Sequence, residues 1–228
     1  MKFVLASQGF TTPEIAQAVA ELVGKAPKDI SVAIINEAYT GIANGHDHRW
    51  LLEEVGNVAK NFGGTLSFVN LRAYDNAEVA RRLQDADIIY IVGGTQLVLP
   101  LLFREKGLDT LLPELAKTKV VMGTSAGANV LGQSINNAAY WEDQYGPAEQ
   151  YLQQPFLGFV NFNILPHWGR ADHPNRTKER VEPLLIDSPF PLYGLTDEQA
   201  IISNNGTVSF VGGNPVSFGN NEQTNSLS

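Results

Sequence analysis

Between Lys119 and Asn129 the chain reads Lys-Val-Val-Met-Gly-Thr-Ser-Ala-Gly-Ala-Asn, and few folds can hold such a stretch. Val120-Val121-Met122 is a short apolar run of the kind that forms a buried parallel strand. It meets Gly123-Thr124-Ser125-Ala126-Gly127 and passes into Ala128-Asn129-Val130-Leu131, which can start a helix. Strand, sharp turn and helix are the context that a Gly-x-Ser-x-Gly nucleophile elbow requires. A turn this tight leaves no room for a Cβ on either side of the serine, which accounts for both glycines. It would lift the Ser125 hydroxyl off the sheet edge toward a cleft. It would also set the Ala126 N–H at a helix start, where it can donate to an oxyanion. Ser125 is therefore the candidate nucleophile.

The rest of the chain suits that stretch. Short apolar runs at Lys2–Ala6, Ile30–Ile35, Thr65–Leu71 and Ala86–Val92 read as strands. Between them lie helical patterns. Thr12-Pro13-Glu14 opens one with a threonine cap, a proline in the first turn and an acid beside it. His46–Phe62 is the next, with Leu51, Leu52, Val55, Val58 and Phe62 expected inward, and Asn76–Leu83 is a third. Gln96–Phe103 and Leu108–Leu115 follow, broken at Lys106-Gly107 and Pro113. Strands alternating with helices at this spacing predict a three-layer αβα sandwich with a mostly parallel, doubly wound sheet. Beyond about Pro155 the runs shorten to Gly158–Leu165, Leu192–Leu195, Ala200–Ser203 and Thr207–Val211, expected to extend the same sheet in antiparallel fashion. No repeat or linker interrupts the pattern. Residues 1–218 read as one α/β domain and 219–228 as a polar, frayed tail.

Composition narrows the chemistry. With 16 basic and 24 acidic residues the net charge is −8, which argues against nucleic acid or an anionic membrane as partner. No apolar run approaches the length of a membrane span, and no signal-like h-region follows Met1-Lys2, so the cytoplasm is the expected compartment. There is no cysteine, which excludes disulfides, thiolate metal sites and a cysteine nucleophile.

A serine hydroxyl needs a base, and the base an orienting group. The chain has four histidines. His46 and His48 lie in Asn-Gly-His-Asp-His-Arg without an evident third ligand and read as a solvated helix start. His173 reads as a loop residue. His167 ends the apolar run Phe162-Asn163-Ile164-Leu165-Pro166, and at the carboxyl end of a strand it can point into the cleft that receives Ser125. For the acid, Asp197 and Glu198 follow another short strand, with Glu142 and Asp143 as competitors. Glu37, at the end of the second strand, is a candidate to bind a substrate α-amino group. No metal or organic cofactor is called for.

In order, the pieces Ile89-Tyr90-Ile91-Val92-Gly93-Gly94-Thr95-Gln96, Gly123-Thr124-Ser125-Ala126-Gly127-Ala128-Asn129, Leu165-Pro166-His167, Arg176-Thr177-Lys178-Glu179-Arg180 and Gly194-Leu195-Thr196-Asp197 form a larger pattern. This pattern resembles the peptidase E family of cytosolic aspartyl dipeptidases and the wider group that includes cyanophycinases. The resemblance runs from about Lys2 to Gly213. It implies a fold like that of the class I glutamine amidotransferases, but with serine in place of their cysteine. It further implies Ser125 as nucleophile, His167 as base, Asp197 as acid, and the N–H groups of Gly94 and Ala126 as oxyanion donors. Gln96 of the Gly-Gly-Thr-Gln run is a candidate for contacts to a short peptide substrate, bound by a monomer or homodimer. So are Arg170 and Arg176, among the arginines available near the Thr177-Lys178 step, where Arg180 reads equally as a surface helix charge.

Two departures bear on specificity. The dipeptidases carry Gly-Gly-Gly-Asn where this chain has Val92-Gly93-Gly94-Thr95 followed by Gln96, a form nearer the cyanophycinase side. Their Thr-Arg step, whose arginine holds the substrate's aspartyl side chain, is Thr177-Lys178 here. A guanidinium fork matches a carboxylate, whereas a lysine is a point charge. The expectation is therefore a serine dipeptidase or exopeptidase acting at the N-terminal residue, with Asp-X, cyanophycin-like and β-aspartyl peptides or esters as alternative substrates. A binding protein that has lost activity is the rival from another class.

Overall fold

In a parallel sheet covered on both faces, a central strand must be apolar on both sides. The five parallel strands here are β1 (Lys2–Ala6), β2 (Val32–Ile35), β3 (Leu66–Phe68), β4 (Ile88–Ile91) and β5 (Val120–Thr124). Four of the five meet that demand, the exception being the edge strand β3. The structure, a computed structural model, describes residues 1–40, 49–95, 98–133, 155–185 and 188–219. Alternate side chains divide between two core layers. Phe3, Leu5, Ala33, Ile35, Ile89, Ile91 and Val121 face one. Val4, Ala6, Val32, Ile34, Ile88, Tyr90, Val120 and Met122 face the other.

The helices close those faces. On the second layer lie α1 (Pro13–Val23), through Ile15, Ala16, Val19 and Ala20, and α3 (Arg49–Asn61), through Val58. A four-residue turn, α2 (Glu37–Thr40), precedes α3 in the chain. The first layer is covered by α4 (Asn76–Asp85), α5 (Leu99–Glu105) and α6 (Leu108–Leu115). The Thr12 hydroxyl caps α1 by accepting the Ile15 N–H at 3.4 Å, and Asp75 caps α4 by accepting that of Glu78 at 2.8 Å. On α3 one expectation is corrected. Leu52 is 70% exposed, while Glu54 is buried. The inward stripe runs through positions 51, 54, 55, 58 and 62, and Leu52 lies one residue, about 100°, off it.

The large sheet has the order β3-β2-β4-β5-β1-β8-β9, where β8 (Ala200–Asn204) and β9 (Thr207–Val211) are the antiparallel strands foreseen for the carboxyl-terminal part. Two other runs do not join them. β6 (Asn163–Leu165) and β7 (Leu192–Gly194) pair in parallel, and β10 (Val216–Phe218) completes a separate three-stranded sheet. The reason is topological: β8 occupies the edge of β1 that β6 or β7 would have needed. Leu165, Val181, Leu185, Leu192 and Phe218 give the small sheet its own apolar cluster. The expected runs Ile30–Ile35 and Thr65–Leu71 are shorter than predicted, and the expected helix starts at His46 and Gln96 lie outside the described residues. So do residues 220–228 of the expected tail.

Candidate active site

Parallel strands bring their carboxyl ends to one edge, and the register decides which residues meet there. Ala6 of β1 is level with Thr124 of β5, so Ser7 and Ser125 leave the sheet side by side, and the Ser125 N–H donates to Ala6 O at 3.0 Å. Because β8 runs antiparallel to β1, with Ala200 opposite Ala6, the residues just before β8 arrive at this same edge. Asp197 is one of them. β6 and β7 deliver His167 from the side: its neighbour Trp168 donates its N–H to Leu195 O at 2.8 Å.

Ser125 adopts φ 49°, ψ −116°, a region that a residue with a Cβ occupies only when its surroundings compel it. The elbow's two glycines supply the compulsion by close approach. A Cβ on Gly123 would stand 2.3 Å from Gly127 O, and one on Gly127 would stand 2.2 Å from Ile91 O. The single turn α7 (Ala126–Asn129) follows, and its first N–H, that of Ala126, has no carbonyl acceptor within the turn. Gly93 packs against Ser125, since a Cβ there would be 3.0 Å from Ser125 Cβ. Gly94 follows at φ 138°, held against the Ala38 carbonyl, and that carbonyl accepts the Thr95 N–H at 2.8 Å.

Ser125 Oγ lies 3.0 Å from His167 Nε2, and His167 Nδ1 lies 2.5 Å from Asp197 Oδ1. The neutral tautomer that satisfies both contacts carries its proton on Nδ1, donates it to Asp197, and leaves Nε2 to accept from the serine. Asp197, and not Glu198, is the carboxylate on the imidazole. Burial holds the His167 pKa below its ordinary 6.5: the Asp197 contact opposes this, and the charges of Arg176 and Arg170 reinforce it. For Asp197, burial alone would raise the pKa. Hydrogen bonds from His167 and Ser7, with the charges of His167 and Arg170, outweigh burial and hold it below the usual carboxylate range.

Two residues that the sequence reading did not assign to the site stand in it. The Ser7 hydroxyl touches both His167 and Asp197. Its position after β1 was the available signal, because the ends of parallel strands are where sites form. The His173 ring stacks on that of His167, with centroids 5.1 Å apart and planes 15° from parallel. Burial first, then the charges of Arg176 and His167, brings the His173 pKa down to about 4. No local signal marks that contact.

Other candidates are placed differently from expectation. Arg170 spends its guanidinium on Asp172 (2.8 and 2.5 Å), Asp197 Oδ2 (3.1 Å) and Gln8 (3.2 Å), so it braces the acid instead of offering a free fork to a substrate. Glu37 is 2% exposed and accepts the Leu71 N–H, and burial raises its pKa. It fastens the segment after β3 instead of facing an open cleft. Arg176 donates to Pro166 O, directly beside His167. Gln96, His46, His48, Glu142 and Asp143 lie outside the described residues.

An α/β sandwich with serine, histidine and aspartate hydrogen-bonded in series at the carboxyl edge of its parallel strands has the architecture of a serine hydrolase. The chain belongs to peptidase family S51, whose family model matches residues 4–211. That membership places it among the serine-type peptidases. An uncharacterized peptidase of Listeria innocua is 33% identical over 106 residues, 45% of this chain and 49% of that protein. Peptidase E of Shewanella amazonensis is 25% identical over 180 residues, 76% of this chain and 72% of that protein. The match thus spans about half the length of the first relative. In fold, a Listeria monocytogenes protein provisionally described as peptidase E superposes with a TM-score of 0.71 at 21% identity, covering 92% of this chain and 96% of its own. A peptidase from an acI-B1 actinobacterium gives 0.61 at 20% identity, covering 97% and 95%. Among the described residues, no helix is long and apolar enough to cross a membrane.

Proposed function

We propose that the protein hydrolyses short peptides at their N-terminal residue, with Ser125 as nucleophile, His167 as general base and Asp197 as its orienting acid. The observation that carries this reading is the unbroken run of contacts from Ser125 Oγ through the imidazole to Asp197. His167 Nε2 takes the hydroxyl proton as Ser125 Oγ attacks the carbonyl carbon. The N–H groups of Gly94 and Ala126 receive the oxyanion, each worth about 3 kcal/mol of barrier. When the C–N bond breaks, His167 returns the proton to the leaving amine. Water then attacks the acyl carbon and gives a proton to His167, which passes it to Ser125 Oγ as the acyl–oxygen bond breaks, freeing the carboxylate product and the serine hydroxyl.

An acidic first residue is the preference that the local charge best supports. The charges of Arg176 and Arg170 both act on His167 and make the surroundings of the imidazole basic, although each guanidinium also bonds within the protein, Arg170 to Asp172 and Asp197 and Arg176 to Pro166 O. A cytoplasmic pool of peptides is part of the same reading. The test is a panel of dipeptides and tripeptides with varied first residues, followed by mass spectrometry, with Ser125→Ala alongside. Release of aspartate from Asp-X peptides, lost in the variant, is expected. Serine-dependent release of other residues would retain the mechanism and discard the preference. No cleavage together with no fluorophosphonate labelling of Ser125 would sink the hydrolase reading.

A further inference from the structure

Ser7 is fully buried at the end of β1, and each of its polar groups is engaged. Its hydroxyl donates to Asp197 Oδ1 at 2.8 Å and accepts the backbone N–H of His167 at 2.7 Å. Its N–H donates to Gln199 O at 3.2 Å, and its carbonyl accepts from the Thr124 hydroxyl, one residue before Ser125, at 3.4 Å. Three chain segments distant in sequence therefore converge on one residue, two of them on its hydroxyl. We propose that Ser7 is the positioning residue of the site, its hydroxyl setting His167 and Asp197 in register with each other. The inference rests on the roles just assigned to Ser125, His167 and Asp197.

The chemistry of the group explains the choice. A hydroxyl is the smallest side chain that donates and accepts at once, so one oxygen can join a carboxylate to a backbone N–H. His167 has φ 58°, a conformation disfavoured for a residue with a Cβ, and the Ser7 oxygen is what its N–H meets there. On the other side, Asp197 is steadied at its backbone too, because its carbonyl accepts from the Thr11 hydroxyl at 2.6 Å. Ser7 and Thr11 belong to the same β1–α1 connection, which cradles the acid from both ends. Alanine at position 7 would remove one donor from the Asp197 carboxylate. The carboxylate would then draw more strongly on the Nδ1 proton, favour the imidazolium and make His167 a group that stays protonated to higher pH. Among the described residues, the other charged or titratable groups facing His167 are Arg170, Arg176 and His173, and alanine at position 7 leaves them all in place.

The test is the rate of fluorophosphonate labelling as a function of pH in wild type, Ser7→Ala, Ser7→Cys and Ser125→Ala, with thermal unfolding of each. Cysteine nearly matches serine in shape but is a weak donor and acceptor, so it separates hydrogen bonding from packing, and it serves alone should the alanine variant not fold. The expected result is labelling slower by about 10- to 100-fold in Ser7→Ala, as a misplaced catalytic group produces. The acidic limb should move to higher pH, and Ser7→Cys should fall between alanine and wild type. A wild-type rate and an unmoved limb in both variants would overturn the proposal. So would slowing that follows thermal stability alone with the limb unmoved, because Ser7 would then be a packing residue. Wild type that is not labelled, or is labelled equally after Ser125→Ala, would overturn the peptidase reading itself, and the role of Ser7 with it.

Discussion

His167 carries the pH response of the site. It must be neutral to receive the Ser125 proton, and burial holds its pKa below the ordinary 6.5. Activity should therefore rise through an apparent pKa below 6.5 and remain high under mildly acidic conditions. The acidic limb of a kcat/KM profile measures this directly, and a limb above 6.5 would contradict it. Ser125 and His167 could be named from the sequence itself, because each ends or follows a short apolar run, whereas for the acid that pattern left Asp197 and Glu198 open and only the family resemblance pointed to Asp197. What the local pattern of residues could not supply is which carboxylate meets the imidazole. Asp197 and Glu198 are adjacent and chemically alike, and only the course of the chain into β8 decides which one meets the imidazole. Arg170 shows the reverse: its chemistry suits a substrate carboxylate, but its two nearest carboxylates belong to the protein itself.

The elbow between β5 and α7 is the element whose sequence and structure agree most closely. Gly127 lies against the Ile91 carbonyl of β4, so a methyl group there forces apart the two strands that carry Ser125 and Gly93. Gly127→Ala is expected to cost about 1–3 kcal/mol of stability, as overpacking of a tight core does, and to slow fluorophosphonate labelling as Ser125 is displaced. Urea unfolding and labelling rates measured side by side check both; wild-type values for both would show that the elbow has slack. The elbow was legible because its signals are local: strand, glycine, serine, glycine and helix lie within eleven residues. The small β6-β7-β10 sheet was not. Its strands have three residues each, too few for a period to declare a face or a partner.

Within the wider molecule, a buried acid lies close to the elbow. Glu54 reaches from α3 into the core and accepts from the Tyr90 hydroxyl of β4 at 2.5 Å. Burial raises its pKa from 4.5 to about 7, against the lowering effect of hydrogen bonds from Tyr90 and Thr124. Between those values the folded state holds a proton that the unfolded chain has lost, so Glu54's contribution to stability is present below 4.5 and is lost as pH rises through about 7. Glu54→Gln stays neutral throughout. Its stability relative to wild type should therefore improve as pH increases from about 5 to 8, as read by urea unfolding; a difference independent of pH would refute the shift. By itself the sequence determined the α/β class, the parallel central strands, the elbow and the identity of its serine. Each of these is written in the spacing of neighbours a few residues apart. Tertiary structure alone decided that β6 and β7 leave the main sheet, that Glu54 is buried and Leu52 exposed, and that Ser7 and His173 stand beside His167. Those outcomes depend on which edges and faces are already occupied when distant segments meet, and no local pattern of residues records that.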